Sequence, residues 1–196
     1  MFQVREGDAI ILASESVRRV DMLRTLGIPF SIIPPDIDES RKKDEPPKEY
    51  VLRISHDKAY KVGNHFPDKW VIGADTIVIY KNKILGKPKN EEEAFTMLKA
   101  LSGKWHKVMT GFCVLNVSRK TVYRDAVETK VFMRDMLDLE IMRYIGTSEP
   151  LDKAGSYAVQ GRAGYMVKEL KGSYSNVVGL PICEVAEVLL SLGVLS

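Results

Sequence analysis

The sequence predicts a mixed-sheet α/β or α+β protein, and three observations carry that prediction. Short runs of β-branched and apolar residues, AIILA at Ala9 to Ala13 and WVIGADTIVIY at Trp70 to Tyr80, interleave with longer stretches of helical period such as NEEEAFTMLKALSG. Two pairs of neighbouring β runs are joined by only a few polar residues, Lys81-Asn82-Lys83 and Ser118-Arg119-Lys120, so they return as hairpins and exclude a purely parallel sheet. The chain has 196 residues, 45% of them hydrophobic, which suffices for a core of ordinary density in a single domain spanning residues 1–196.

The elements follow in order. Ala9 to Ala13 reads as a buried strand, and the Ser-x-Ser-x-Arg-Arg turn after it opens an amphipathic helix that stops at Gly27. IPFSII is extended, and the proline-rich charge run from Ser40 to Lys48 reads as an exposed, solvated connector. A helix spans about Glu49 to Val62, a turn covers Gly63 to Asp68, and the strand Trp70 to Tyr80 returns through a hairpin into ILGKPKN. The next helix has Asn90 as N-cap, Glu93 three residues on, Ala94, Met97, Leu98 and Leu101 on one face, and Gly103 past its end. His106 to Val117 and Thr121 to Met133 form a long antiparallel hairpin, and Asp138 to Ile145 a short helix. The glycine-containing stretch after it supplies one or two strands, and Pro181 opens a last helix to about Leu192.

Composition excludes several function classes. A formal charge of +3 is too small for the basic stripe of a nucleic-acid-binding protein, so no nucleic-acid partner is expected. Cys113 and Cys183 lie far apart without a CxxC pattern, and His56, His65 and His106 are dispersed, which argues against a zinc site, a disulfide framework and a Ser-His-Asp triad. The N-terminus carries no apolar leader, and the most apolar later stretch, Val177 to Leu195, is broken by Pro181, Glu184 and Glu187. A cytoplasmic protein with no membrane partner is the expectation.

Four places carry chemistry. A strand feeding a helix through Ser14, Ser16, Arg18 and Arg19 aims first-turn N–H groups, the positive end of the helix dipole and two guanidinium forks at one point, which suits a phosphate. A serine-capped helix with two exposed arginines reads the same residues without a ligand. Helical spacing places Lys58 on the stripe Val51, Ile54, Ser55, Lys58, Val62 that should face inward, where it either snorkels or points into a cleft. Asp75 sits among residues that want burial, and Lys87 lies across the hairpin from it. An aspartate in a half-dry site beside lysines is a reasonable general base for water. Asp38 and Glu39, in PPDIDES, either supply metal oxygens or are solvated.

Taken together, LASESVRRVDMLRTLGIPF, IDES, DKA at Asp57 to Ala59, GADTIV, GKP, LSG with His106 and Thr110-Gly111, EPLDKAGSYAVQG and GSYSNVVGLP resemble, in order and over nearly the whole chain, the Maf family of nucleoside triphosphate pyrophosphatases. The resemblance implies an elongated, two-lobed fold with a central cleft on a mixed twisted sheet, like that of the inosine triphosphate pyrophosphatases. It implies hydrolysis of a nucleoside triphosphate between the α and β phosphates with a divalent metal, Mg²⁺ or Mn²⁺, and a homodimer. By the same resemblance Asp75 is the proton acceptor, Ser14, Arg19, Glu39, Lys58 and Lys87 line the active cleft, and Arg18, Thr76 and Gln160 match the dTTP/UTP set. Thr76 and Gln160 are then the residues that read the base. The 7-methyl-GTP branch, with tryptophan where Arg18 stands, is the alternative within the family. A non-catalytic nucleotide-binding regulator of septum formation is the alternative from another class. One departure is Val17, where the family turn usually has proline; valine reaches the same conformation at modest entropic cost.

Overall fold

The computed structural model describes residues 2–196. Strand β1 (Ile10–Ala13) pairs in parallel with β2 (Ser31–Ile32) on one side and β3 (Trp70–Tyr80) on the other. Helices α1 (Val17–Arg24) and α2 (Pro47–Gly63) follow β1 and β2. The strand β3 returns through β4 (Lys83–Leu85), and Lys81 and Asn82 both have positive φ, as a two-residue type I′ hairpin turn requires. Then come α3 (Glu91–Leu101), β5 (Trp105–Asn116), β6 (Thr121–Met133), α4 (Asp138–Ile145), three short 3₁₀ turns, β7 (Val167–Lys171), α5 (Tyr174–Val178) and α6 (Ile182–Ser191). The strands form one seven-stranded mixed sheet in the order β2-β1-β3-β5-β6-β7, with β4 beside β3.

The chain divides into two compact units. The first comprises residues 1–75, 110–127 and 179–196, the second 76–109 and 128–178. Period-two alternation explains the core of the first: Ile10 and Leu12 of β1 join one cluster with Val20, Leu23, Trp70, Ile72, Phe112 and Leu189, while Ile11 and Ala13 join another with Ala59, Val62, Val71 and Cys113. Both sheet faces are covered, which is why β1 is apolar at every position. In the second unit Val78, Val108, Val131 and Met133 pack against Leu98 and Leu101 of α3 and Ile141 and Tyr144 of α4.

Helix α2 lies unusually close to the sheet, because two glycines leave room for it. A Cβ at Gly73 would stand 2.3 Å from the carbonyl oxygen of Ser55, and one at Gly111 would stand 2.4 Å from that of Val51. Neither position has space for a side chain, and the close approach carries Lys58 down to the strand that holds Asp75.

The expected strand Trp70 to Tyr80, the expected helix Asp138 to Ile145 and the α3 cap all appear, the last with Asn90 Oδ1 accepting from the Glu93 amide at 2.8 Å. Two expectations are corrected. The extended IPFSII segment forms only a two-residue strand at an exposed edge, since little of it finds a partner. The Ser40 to Lys48 segment is not simply a solvated connector: α2 begins within it, at Pro47, and Glu45 is buried against Arg53. The stretch between α4 and α6 contributes one strand, β7, because glycines at positive φ (Gly155, Gly172, Gly179) keep breaking its extended runs.

Candidate active site

The site is assembled just past the end of β1, at the middle of β3 and on the inward stripe of α2, from residues of the first unit. Val51, Ile54, Ser55, Lys58 and Val62 are buried together, as the 3.6-residue period dictates. The Lys58 side chain keeps only 7% exposure, and Nζ stands 2.8 Å from Asp75 Oδ1 and 3.0 Å from Glu39 Oε1. Asp75 is equally buried, whereas the Glu39 carboxylate is half exposed. A buried ammonium with three donors is thus satisfied by two carboxylates from different segments, one inside and one at the rim. The snorkelling alternative for Lys58 is excluded by this geometry.

Beside this cluster lies the strand-to-helix turn. Ser14 is buried, and its Oγ accepts from the Ser16 amide at 3.1 Å and from Arg19 Nη1 at 3.5 Å. Ser16 occupies the N-cap position of α1, but its side chain makes no cap bond, so the simple serine-cap reading fails. Arg19 Nε donates to the Gly179 carbonyl at 2.8 Å, which fixes the guanidinium from the far end of the chain. Burial lowers the pKa of Arg19, the nearby Asp75 raises it again and Arg18 lowers it; the guanidinium remains a cation throughout the working range. Val17 is exposed at the first helical position, so the missing proline removes no packing.

The remaining predicted residues belong to the second unit. Thr76 is half-buried on β3, directly after Asp75. Lys87 is exposed two residues past β4, and continuing the Val78–Leu85 register would set it opposite Thr76. Gln160 is exposed in the 3₁₀-rich segment that follows Tyr157.

Sequence reasoning missed how the Glu39 loop is held. Tyr50 Oη donates to the Glu39 carbonyl at 2.9 Å, and Arg53 forms a bidentate pair with Glu45 at 2.6 and 2.8 Å. Tyr50, Arg53 and Asp57 recur at i, i+3 and i+7, a polar stripe beside the Lys58 stripe, and that spacing was the available signal. The Arg53 guanidinium holds the Glu45 carboxyl down at about 2, and burial together with the charges of Asp75 and Glu39 pushes the Tyr50 phenol up to about 12.

Among the described residues no group of three or more His, Cys, Asp and Glu side chains gathers as a metal cage. Glu39 and Asp75 nevertheless present hard carboxylate oxygens around one lysine. Mg²⁺ characteristically uses one or two carboxylates and takes the rest of its shell from phosphates and water, so this donor set fits Mg²⁺ or Mn²⁺. Buried Cys113, its thiol pushed up to about 12 by desolvation, is no nucleophile. Among the described residues no helix is long and apolar enough to cross a membrane.

A dTTP/UTP pyrophosphatase of Geotalea uraniireducens (strain Rf4) is 48% identical over 94% of this chain and 95% of its own. Those of Syntrophus aciditrophicus (strain SB) and Geobacillus sp. (strain WCH70) are 43% and 44% identical, covering 96% and 94% of this chain and 92% and 98% of theirs. Among solved structures, the HAM1 protein of Coxiella burnetii superposes with a TM-score of 0.50 at 14% identity, covering 94% of this chain and 99% of that one. The Staphylococcus aureus Ham1 protein does so with 0.50 at 10% identity, covering 95% and 100%. Identities that low speak for the fold alone, and the fold is the mixed-sheet one that the sequence predicts, shared with these Ham1 proteins. The family model described as Maf-like protein matches residues 9–192, a span that contains the Ser14–Arg19 turn, the Glu39–Lys58–Asp75 cluster, Lys87 and Gln160 alike, and the chain therefore belongs to the Maf-like family.

Proposed function

We propose that this protein is a nucleoside triphosphate pyrophosphatase that hydrolyses dTTP and UTP between the α and β phosphates, releasing the monophosphate and pyrophosphate. The observation that carries the reading is the buried Asp75 paired with Lys58 beside the Ser14–Arg19 turn, in a chain whose full-length relatives are named dTTP/UTP pyrophosphatases. Asp75 takes the proton of the attacking water. Its carboxylate is paired with Lys58 Nζ at 2.8 Å and sits where little competing solvent reaches it. Arg18, Arg19, Lys58 and Lys87 neutralise the charge that builds on the departing pyrophosphate, which makes most of the rate enhancement electrostatic. Ser14 and Ser16 orient phosphate oxygens through their hydroxyls, and the uncapped first turn of α1 offers its N–H groups to the same anion.

Glu39, its carboxylate half exposed at the rim of the cluster, is the residue that would hold a divalent cation, Mg²⁺ or Mn²⁺. Such a cation would supply positive charge that polarises the phosphate. Thr76 and Gln160 read the pyrimidine edge with a hydroxyl and an amide, which between them match its donors and acceptors. The protein acts in this reading as a single catalytic domain in a cytoplasmic homodimer. Product analysis with a panel of dTTP, UTP, CTP, GTP, ITP and 7-methyl-GTP tests it. Monophosphate and pyrophosphate from dTTP and UTP are expected; release mainly from 7-methyl-GTP would keep the reaction and overturn the assignment of Arg18, Thr76 and Gln160. Nucleotide binding without turnover would leave a regulator.

A further inference from the structure

The segment from Asp38 to Glu45 carries one carboxylate of the cluster, Glu39, yet nothing in its own backbone forms a regular element. What holds it is the outer stripe of α2. Tyr50 grips the Glu39 carbonyl at 2.9 Å, and Arg53 Nη2 donates to the Ser40 carbonyl at 3.1 Å. The same guanidinium closes a two-point pair on Glu45 at 2.6 and 2.8 Å, and Glu45 Oε2 in turn accepts the Lys42 amide at 3.1 Å. Arg41 Nε then caps the Glu45 carbonyl at 2.9 Å. Arg53 therefore touches the segment on both sides of its turn, at Ser40 and at Glu45, and Asp57, 3.7 Å away on the next helical turn, braces it from behind.

A fork of this kind serves more than surface charge. The Glu45 carboxylate is 9% exposed and the Arg53 side chain 20%, so the pair is largely withdrawn from solvent, whereas the Glu39 carboxylate is 52% exposed. Glu39 meets the buried ammonium only through Oε1, and an exposed glutamate on an irregular segment has many rotamers and backbone positions available to it. The Arg53 Nη2 bond to the Ser40 carbonyl removes that freedom one residue away from Glu39, and the two-point pair with Glu45 fixes the guanidinium that makes it. We propose that Arg53, with Tyr50 and Glu45, is a positioning residue that presents the Glu39 carboxylate to Lys58 at the rim of the active site. The inference rests on the proposed pyrophosphatase reading and adds to it three residues that touch neither substrate nor the reacting atoms.

The test compares Arg53→Met, Arg53→Lys, Tyr50→Phe and Glu39→Gln with the parent protein, alone and in combination, by pyrophosphate release from dTTP and by thermal unfolding. A displacement of about 1 Å in a catalytic group costs on the order of a hundredfold, so Arg53→Met should lower kcat by about 10- to 100-fold while KM stays within about twofold. Arg53→Lys keeps the charge but not the fork and should recover only part of the loss. Tyr50→Phe removes a single hydroxyl and should fold normally while lowering kcat several-fold. The deciding result is non-additivity: in the Glu39→Gln background, Arg53→Met should cost less than about a further twofold, because its effect runs through Glu39. Amide exchange over residues 38–45 in the metal-free protein should accelerate in Arg53→Met and not in Glu39→Gln. Full additivity of the two substitutions, or loss of turnover explained by a lowered melting point alone, would overturn the positioning role while leaving the enzyme reading standing. A parent protein that releases no pyrophosphate from any nucleotide would overturn both.

Discussion

At the scale of single residues, Lys58 and His106 show what burial demands of an ionisable group. Lys58 and Asp75 are 5% and 6% exposed, and each meets an opposite charge in the other, 2.8 Å away. Removing one partner strands the other: Lys58→Met should destabilise the protein by about 3–5 kcal/mol, and Lys58→Met with Asp75→Asn should recover much of that loss, as read from urea unfolding. His106 is buried as well, with Nε2 2.7 Å from the Tyr157 hydroxyl. Burial raises the Tyr157 phenol well above its ordinary range, so the hydroxyl keeps its proton and shares one hydrogen bond with the ring, its direction set by the imidazole tautomer. Burial lowers the His106 pKa from 6.5 to about 4. Between those values the unfolded chain binds a proton that the folded one refuses, so stability rises with pH there and falls on acidification, by up to about 1.4 kcal/mol per pH unit. Glu45, held at about 2 by Arg53, adds a loss in the same direction that begins only below its ordinary value of 4.5. Unfolding of His106→Gln, which can still accept from Tyr157, should show a flatter stability profile between pH 4 and 6.5 than the parent protein.

At the scale of elements, α2 unites the site, and its distance from the sheet is set by two residues without side chains. The Gly73 and Gly111 positions leave 2.3 and 2.4 Å between an added Cβ and the helix backbone, and backbone cannot rotate away as a side chain can. Overpacking of this kind costs typically about 1–3 kcal/mol, and in a chain of this size each kcal/mol lowers the melting temperature by about 2–4 °C. Gly111→Ala should therefore melt several degrees lower, and Gly73→Ala, nearest the Lys58–Asp75 contact, should lose turnover beyond what its lowered stability explains. Measuring kcat well below both melting temperatures separates the two effects.

At the scale of the whole molecule, strong periodicity made most of the architecture legible. The β-branched, apolar run Trp70 to Tyr80 and the polar turn Lys81-Asn82-Lys83 specify β3 and its hairpin, and the stripe through Val51 and Lys58 identifies a lysine that the fold does bury. The Asp38–Glu45 segment was not legible, because its residues are those of any solvated loop and their partners lie on α2, at a spacing that only tertiary packing gives meaning. The anchoring of Arg19 by the Gly179 carbonyl, 160 residues away in sequence, was hidden for the same reason. Gln160→Ala should narrow the preference for dTTP and UTP over CTP and GTP in competition assays, with little effect on stability because the residue is exposed. The most direct test of the central claim is a paired measurement on Asp75→Asn: pyrophosphate release from dTTP, and dTTP affinity by calorimetry. A base that takes a proton from water predicts turnover reduced by about 10²- to 10⁴-fold with affinity changed far less. An Asp75→Asn protein that turns over like its parent, or that fails only because it no longer binds dTTP, would contradict the account.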